Sequence, residues 1–409
     1  MSKPMGAIPA GFEAEEGMLL IGGRRADSLV EAAGGTPLFV YDLSRVAAQV
    51  ASFRRHFPAV NLHYAIKANT YQPLLTYAAR LVDGLDVASA GEMEAALASG
   101  TDSAEISFAG PGKRDDELAA AIAAGVTLNL ESPGEAERAL AIARGQGRRP
   151  RLAVRVNPDF EIKGSGMRMG GGAKPFGIDS ARVPNVARSL LANGAEWRGF
   201  HIFAGSQALS ADALIEAQKA TVALAGELAE AVGAAPPLVN LGGGFGIPYF
   251  ATETSLDVAA VGAALAETLA ERPSILRDSG FAIELGRWLV GEAGVYLSRI
   301  VDRKESHGKT FLVTDGGMHH QLAASGNFGQ VVRRNYPVAI AGRFGAEPEE
   351  EASIVGCLCT PLDRLADDVM VPRADVGDLV AVFLAGAYGL SASPAAFLGH
   401  PPAREMVVG

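Results

Sequence analysis

The chain has few cysteines and few basic residues. Only two of its 409 residues are cysteines, Cys357 and Cys359. Two thiols one residue apart cannot build a disulfide framework or a zinc finger, and they suit a reducing compartment. Lys and Arg number 36 against 46 Asp and Glu, which gives a formal charge of −10. A chain without a positive field does not hold a phosphate polymer, so we expect no nucleic-acid partner.

The sequence also lacks a recognisable targeting or membrane segment. Glu13, Glu15 and Glu16 precede any apolar stretch, which is not the pattern of a secretion signal. Two uncharged stretches, 231–252 and 379–398, have the length of a membrane span, but glycine and proline interrupt both of them. We therefore expect a soluble, cytoplasmic protein without a membrane partner.

Short apolar runs alternate with longer stretches of helical period from residue 62 onward. Stretches between the runs, such as 91–99 and 212–232, carry acidic residues near their starts, as helix N-termini prefer. Eight β/α units predict an α/β fold, a closed (β/α)8 TIM barrel. A doubly wound sheet is the alternative, because short apolar runs do not report closure. The eight runs are 62–67, 85–89, 106–109, 126–130, 152–156, 199–203, 238–241 and 281–284.

The pattern changes after residue 287. Apolar runs of β character follow one another there without long helical stretches between them, at 295–301, 310–314, 352–355 and 379–384. This predicts a C-terminal all-β domain, joined by the N-terminal segment. We therefore expect a barrel domain at 42–285 and a β-domain formed by 1–41 and 286–409.

Three of the predicted strand ends carry residues suited to catalysis, which barrels place at the carboxyl ends of their strands. Lys67 closes the first strand, where its amine could bond covalently to an aldehyde cofactor. Glycines 242–244 follow the seventh strand and expose N–H groups that can bind phosphate. Glu284 closes the eighth strand, and a carboxylate opposite a pyridine nitrogen favours the protonated ring. Taken alone, Lys67 is typical of a surface lysine, the glycines of a hinge and Glu284 of an ion pair. Their occurrence together favours an active site.

Further motifs complete a family pattern. They are residues 64–69 (YAIKAN), 85–92 (LDVASAGE), 155–157 (RVN), 176–178 (FGI), 205–207 (GSQ), 242–246 (GGGFG), 284–287 (ELGR), 356–359 (GCLC) and 386–389 (GAYG). With them, nearly the whole chain resembles the pyridoxal-phosphate decarboxylases of the alanine-racemase fold type (fold type III), which include diaminopimelate and ornithine decarboxylases. The resemblance implies pyridoxal 5′-phosphate as cofactor, a carboxy-lyase activity, and a head-to-tail homodimer with shared active sites.

The resemblance also implies roles for single residues. Lys67 is expected to hold the cofactor covalently and Glu284 to contact its pyridine nitrogen. Cys359 is expected to reach the partner's active site as the acid that protonates the substrate carbon. Further cofactor contacts are implied for Asp86, Arg155, Phe203, Ser206, Gly243, Gly244, Gly286, Arg287 and Tyr388.

Departures from the family pattern bear on the substrate. Phe203 stands where the family usually has histidine, and a phenyl ring stacks but cannot titrate. Thr360 follows Cys359 where diaminopimelate and ornithine decarboxylases place an acid for the distal ammonium; a buried ammonium without its counter-charge is unfavourable. The Arg-Pro-x-x-Tyr stretch that contacts a distal carboxylate is missing after 315–320. The stretch 359–363 (CTPLD) is instead similar to decarboxylases of carrier-linked aminoacyl groups and to the exosortase-associated branch.

We therefore expect an α-decarboxylase that releases CO2 from an amino acid or a carrier-linked aminoacyl group, with Arg287, Thr360 and Asp363 as candidate substrate contacts. One alternative is a diaminopimelate decarboxylase acting on free meso-diaminopimelate in lysine synthesis. Another is an amino-acid racemase, although racemases typically place arginine opposite the pyridine nitrogen. A non-catalytic homologue is expected to have lost Lys67 or Cys359. His319 and His320 are adjacent, but with no third ligand in view we predict no metal site.

Overall fold

A computed structural model describes residues 2–161, 167–168, 171–328, 330 and 333–409. The chain divides into two compact units. The barrel unit comprises Gln49–Gly246 and Ser255–Gly286, and the sheet unit comprises Met1–Ala48, Ile247–Thr254 and Arg287–Gly409. The domain limits of 42 and 285 stay predictions from the sequence.

Eight parallel strands of the barrel unit form a closed barrel. Strand 8 pairs with strand 1, and strand 4 pairs with strand 5, so the sheet has no free edge. This closure confirms the predicted TIM barrel and excludes the doubly wound sheet. Barrel strands 1 to 8 are Asn61–Ala65, Gly84–Val87, Ile106–Phe108, Thr127–Leu130, Arg151–Asn157, Glu196–Ile202, Leu238–Asn240 and Gly280–Leu285. Ile178–Asp179 adds to strand 5, and Gly205–Ser206 pairs with Met167–Arg168.

Helices alternate with the barrel strands, and four of them begin at a side-chain cap, provided by Ser89, Ser132, Ser210 and Asp257. The hydroxyl of Ser89 accepts the backbone N–H of Glu92 at 3.1 Å, and that of Ser132 accepts the N–H of Glu135 at 3.0 Å. Each cap satisfies an N–H group that the first helical turn leaves without a partner. The helices are Leu43–His56, Gln72–Ala79, Ala90–Ala98, Asp115–Ala124, Pro133–Gln146, Val183–Ala192, Ala211–Val232 and Val258–Ala270.

The strand register brings polar residues to one rim of the barrel. Arg155 of strand 5 lies opposite His201 of strand 6, which lies opposite Asn240 of strand 7. Glu284 of strand 8 lies opposite His63 of strand 1. Because all these strands are parallel, their carboxyl ends meet at the same rim, where barrel enzymes place their catalytic groups.

The sheet unit contains a mixed β-sheet, as the pattern after residue 287 predicts. Its longest strand, Gly294–Ser306, pairs with Leu38–Asp42, Lys309–Thr314 and Leu379–Val382. The helix Ala26–Ala33 in the N-terminal segment and the short helix Arg287–Val290 are additions that the sequence patterns did not predict. The other strands are Val338–Ile340, Glu350–Val355, Arg364–Val371 and Arg404–Val408, with a small sheet of Glu13–Glu15, Met18–Ile21 and Arg24–Arg25. Among the described residues, no helix combines the length and the apolar character needed to cross a membrane.

Candidate active site

Lys67 lies directly after barrel strand 1, in the short 3-10 turn Ile66–Ala68. Its side chain is exposed, although Ile66 and Ala68 on either side are buried. Its Nζ lies 5.8 Å from the centre of the Phe203 ring, which follows strand 6. The structure therefore brings together the lysine and the aromatic residue that the sequence singled out.

Lys113, another lysine of the barrel unit, has a different environment. Its buried Nζ donates to the Glu135 carboxylate at 2.6 Å and to the carbonyl oxygens of Gly110 and Asn129 at 2.7 and 2.9 Å. Three acceptors occupy all three N–H groups of an ammonium. Lys67 is therefore the better candidate nucleophile of the two.

Glu284 is buried near the end of strand 8, with 9% of its surface exposed. Its Oε2 lies 3.1 Å from His201 Nε2 and accepts a hydrogen bond from the Asn240 side-chain amide at 3.3 Å. Burial raises the pKa of Glu284, but attraction to His201, followed by Lys67 and Arg155, outweighs it and leaves the pKa well below its usual range. The carboxylate is therefore held in its charged form.

His201 and Asn240 were not among the predicted site residues, although the sequence contained a signal for both. His201 lies two residues before Phe203, so the period of a strand places the two side chains on the same face. Asn240 ends strand 7 and lies two residues before Gly242, the first glycine of the run. Its Oδ1 accepts the backbone N–H of Gly242 at 2.8 Å, which links the environment of Glu284 to the glycines.

The glycine run passes very close to the end of strand 8. A Cβ atom on Gly243 would lie 1.7 Å from the carbonyl oxygen of Glu284, which leaves no space for any side chain. A Cβ atom on Gly286 would lie 2.9 Å from Ala68 Cβ and 3.0 Å from the Ala65 carbonyl oxygen. Glycine at these two positions therefore lets the end of strand 8 contact both the glycine run and the turn that carries Lys67.

Arg155 and Asp86 are both held by neighbouring strand ends. Arg155 Nη1 donates to Glu131 Oε1 at 2.7 Å. Burial raises the pKa of Glu131, but attraction to Arg155 and the hydrogen bond from the Gly177 N–H lower it below its usual range. Asp86 Oδ1 contacts His63 Nδ1 at 3.4 Å, and its buried Oδ2 has no hydrogen-bond partner among the described residues.

Ser206 and Gly244 lie in the loops that follow strands 6 and 7. Ser206 is half-buried in the short strand Gly205–Ser206. The carbonyl oxygen of Gly244 accepts the N–H of Ala208 at 2.9 Å, so the two loops are hydrogen-bonded to each other. Both residues thus belong to one connected group of loops at the rim of the barrel.

The sheet unit holds Arg287 and Tyr388 together. The Arg287 guanidinium lies 4.6 Å from the centre of the Tyr388 ring, and its Nη1 donates to the Tyr249 hydroxyl at 2.9 Å. Tyr388 has a φ of 54°, a backbone conformation that non-glycine residues seldom adopt and that is enriched at functional sites. Tyr249 was not predicted from the sequence, because no motif marks it.

One loop of the sheet unit, residues 356–363, connects the strands Glu350–Val355 and Arg364–Val371 and is called the Cys359 loop below. It carries Cys359, Thr360 and Asp363. Cys359 is exposed. Asp363 is 2% exposed, and its carboxylate accepts the N–H groups of Met318 at 2.6 Å and Leu358 at 2.8 Å. These bonds favour a structural role for Asp363, which holds the loop against residue 318, over the substrate contact expected from the sequence.

The barrel unit has features that fit pyridoxal phosphate. An exposed amine lies above an aromatic ring, and a buried carboxylate of lowered pKa suits a protonated pyridine nitrogen. Buried His201 Nδ1 has no hydrogen-bond partner among the described residues, so this nitrogen is available to a bound cofactor. The glycine run offers a backbone surface without side chains, as phosphate binding requires.

Comparison with known proteins gives a consistent result. Residues 43–291 match the family model described as pyridoxal-dependent decarboxylase, pyridoxal binding domain. The chain is 37% identical over 381 residues to the L-glutamyl decarboxylase of Niallia circulans that acts on the BtrI acyl-carrier protein, covering 91% of this chain and 88% of the relative. It is 32% identical to the diaminopimelate decarboxylase of Methanothermobacter thermautotrophicus, covering 96% and 91% of the two chains.

A solved structure agrees with the sequence relatives. The diaminopimelate decarboxylase of M. jannaschii in complex with L-lysine superimposes with a TM-score of 0.86 at 26% identity, covering 98% of this chain and 93% of that one. The chain therefore belongs to the pyridoxal-dependent decarboxylase family and is a pyridoxal-phosphate-dependent carboxy-lyase that releases CO2 from an amino acid or aminoacyl substrate.

Proposed function

We propose that the substrate is an aminoacyl group bound as a thioester to a carrier protein, with glutamyl as the first candidate. The observation that carries the proposal is Thr360, a neutral residue after the exposed Cys359, in a chain 37% identical to a glutamyl carrier-protein decarboxylase. Decarboxylation at Cα requires a free amine and a free α-carboxylate. The carrier must therefore be attached through the distal carboxyl group.

Attachment of the distal carboxyl changes the charge that the enzyme has to recognise. A free diamino acid brings a distal ammonium, and diaminopimelate brings a carboxylate as well, so each needs a counter-charge when it leaves water. A thioester is neutral and needs none. Threonine at 360, together with the engagement of the Asp363 carboxylate by two backbone N–H groups, supports a neutral distal group.

In the proposed mechanism, Lys67 holds the cofactor and Glu284 faces its pyridine nitrogen. Bound pyridoxal phosphate supplies an electron sink for the electron pair that CO2 leaves on the substrate carbon. His201 and Asn240 keep the Glu284 carboxylate charged and oriented. Cys359 donates the proton that the substrate carbon takes up.

The other assigned residues position the cofactor in the proposed site. Phe203 offers a ring face to it. Asp86 orients His63, and Arg155 orients Glu131, at the rim of the barrel. The proposed phosphate contacts are Ser206, Gly243, Gly244, Gly286, Arg287 and Tyr388.

We also propose that the enzyme works as a cytoplasmic homodimer, in which Cys359 serves the partner's active site. Large apolar side chains are exposed in segments of the sheet unit around the Cys359 loop: Phe328 at 44%, Leu362 at 55% and Leu398 at 54%. Two hydrogen bonds join these segments. The Asn327 side-chain amide donates to the Leu362 carbonyl oxygen, and the Leu322 N–H donates to the Ser393 hydroxyl. Clustered exposed apolar residues of this kind mark contact surfaces.

The test compares CO2 release from free glutamate, diaminopimelate, lysine, ornithine and arginine with release from L-glutamyl thioesters on a carrier protein. We expect turnover of the carrier-linked substrate to exceed turnover of every free amino acid by at least about 100-fold, since binding energy from the carrier contributes only there. The matched variant Thr360→Glu should lose the carrier-linked activity, because it places a carboxylate beside a neutral group. Activity confined to a free diamino acid would overturn the proposal.

A further inference from the structure

Three potential metal ligands meet in the sheet unit, and none of them is among the residues assigned to the reaction. They are His319, Cys357 and His400, and their ligand atoms all lie within 4.8 Å of one another. Cys357 Sγ lies 3.8 Å from Nδ1 and 4.0 Å from Nε2 of His400, and the His319 and His400 rings are 5.3 Å apart. The three residues come from three separate segments of the chain.

His319 and its neighbour His320 are both buried, but their nitrogens differ in their partners. His320 Nδ1 contacts the Tyr296 hydroxyl at 3.1 Å, and its Nε2 contacts the Pro401 carbonyl oxygen at 2.9 Å. His319 is 0% exposed, and neither of its ring nitrogens has a hydrogen-bond partner among the described residues. Buried imidazole nitrogens are normally paired, so an unpaired one beside a thiol and a second imidazole indicates a missing ligand.

The spacing of the cluster suits a zinc ion. A tetrahedral site with Zn–S of about 2.3 Å and Zn–N of about 2.0–2.1 Å separates the ligand atoms by about 3.3–3.6 Å. The observed Cys357 to His400 distance of 3.8 Å is close to this, and the remaining pairs need side-chain movements of about 1 Å. One thiolate and two imidazoles form the mixed sulfur and nitrogen set that zinc prefers over magnesium or calcium.

Neighbouring carboxylates are already engaged and do not complete the set. Asp315 Oδ1 accepts the Arg299 N–H at 2.8 Å, and Asp363 accepts the N–H groups of Met318 and Leu358. Their negative charge favours a cation nearby, while the fourth position of the site remains for water. On binding, the Cys357 thiol loses its proton to solvent and the thiolate bonds to the metal.

We propose that His319, Cys357 and His400 bind one Zn2+ ion, which fastens the Cys359 loop to the segments that carry the two histidines. Cys357 lies two residues before Cys359, so a metal at Cys357 restricts the loop that presents the proposed proton donor. Zinc occupancy does not depend on the identity of the substrate. The two proposals therefore stand or fall separately.

The test measures zinc in the purified holoenzyme after dialysis against Zn2+ and removal of free metal. We expect about one zinc per chain by elemental analysis. The zinc X-ray absorption spectrum should show one sulfur at about 2.3 Å and nitrogen or oxygen ligands at about 2.0–2.1 Å. Dialysis against Mg2+ should leave no bound magnesium.

Matched variants separate this site from other thiols and histidines. Cys357→Ser and His319→Gln should each lower the zinc content at least tenfold, while Cys359→Ser and a variant of the exposed His307, His307→Asn, should retain it. A wild-type protein that retains less than a tenth of a zinc per chain would overturn the proposal, whether or not the variants fold. Bound zinc with no sulfur ligand, or zinc retained by Cys357→Ser, would overturn it as well.

Discussion

Substituting alanine for Gly243 tests the close contact between the glycine run and barrel strand 8. The added Cβ would lie 1.7 Å from the Glu284 carbonyl oxygen, whereas real Cβ contacts do not fall below 3.0 Å. The two backbone segments must therefore separate by about 1.3 Å. Overpacking of this kind costs about 1–3 kcal/mol, and a displacement of about 1 Å at reacting groups costs about 100-fold in rate.

We expect Gly243→Ala to lower the melting temperature by a few degrees and kcat/KM by about 100-fold, with weaker retention of the cofactor. Gly145, within the helix Pro133–Gln146, is the matched control, because a Cβ there meets nothing within 4 Å. Gly145→Ala should stabilise the protein by about 0.5–1 kcal/mol, since alanine is favoured over glycine inside a helix. Equal stability, cofactor retention and activity in the two variants would refute the reasoning.

The remaining predictions concern charge and proton transfer. Glu284→Gln should reduce kcat by about 10²–10³-fold with cofactor still bound, because the amide cannot balance a protonated ring; a loss below tenfold in steady-state assays would contradict its role. Cys359→Ala should slow protonation of the substrate carbon and divert some turnovers to protonation of the cofactor instead. If mass spectrometry finds the same ratio of products as for the wild type, Cys359 does not act in this step. Glu131→Gln leaves Arg155 buried without its partner and should cost about 3–5 kcal/mol at neutral pH. Burial raises the pKa of Glu131 in the folded protein, but Arg155 and the other contacts outweigh it and lower that pKa. The stability that the pair contributes is therefore present above pH 4.5, the ordinary pKa of the carboxyl group, and is lost as the pH falls through the folded pKa. The difference between variant and wild type in urea unfolding should therefore shrink towards low pH, and a constant difference would contradict it.

The sequence predicted the barrel because each barrel strand contains a short, mostly apolar run that is followed by a stretch of helical period. Closure itself depends on hydrogen bonds between strands 8 and 1 and between strands 4 and 5, which no local pattern encodes. The helix Ala26–Ala33 was missed for a different reason. It is short, lies between strands and ends at Gly34, so its segment reads as part of the β pattern.

At the candidate site, the strand-end rule selected Lys67, Glu284 and the glycine run as candidates, because parallel strands bring their carboxyl ends together. Contacts that depend on register were beyond a single sequence: the His201 and Asn240 partners of Glu284 come from two other strands. The His319, Cys357 and His400 cluster was missed because its members are tens of residues apart. Adjacent His319 and His320 alone predicted no metal site; in the structure His320 contacts Tyr296 and Pro401, whereas neither ring nitrogen of His319 has a hydrogen-bond partner among the described residues.

The most direct test of the account is to identify the lysine that carries the cofactor. Reduction of the holoenzyme with borohydride, followed by peptide mapping, fixes the pyridoxyl group on its attachment residue. The account predicts the label on Lys67, and none in a Lys67→Arg variant prepared in parallel. A label on Lys113 or any other lysine, with Lys67 unmodified, would contradict it.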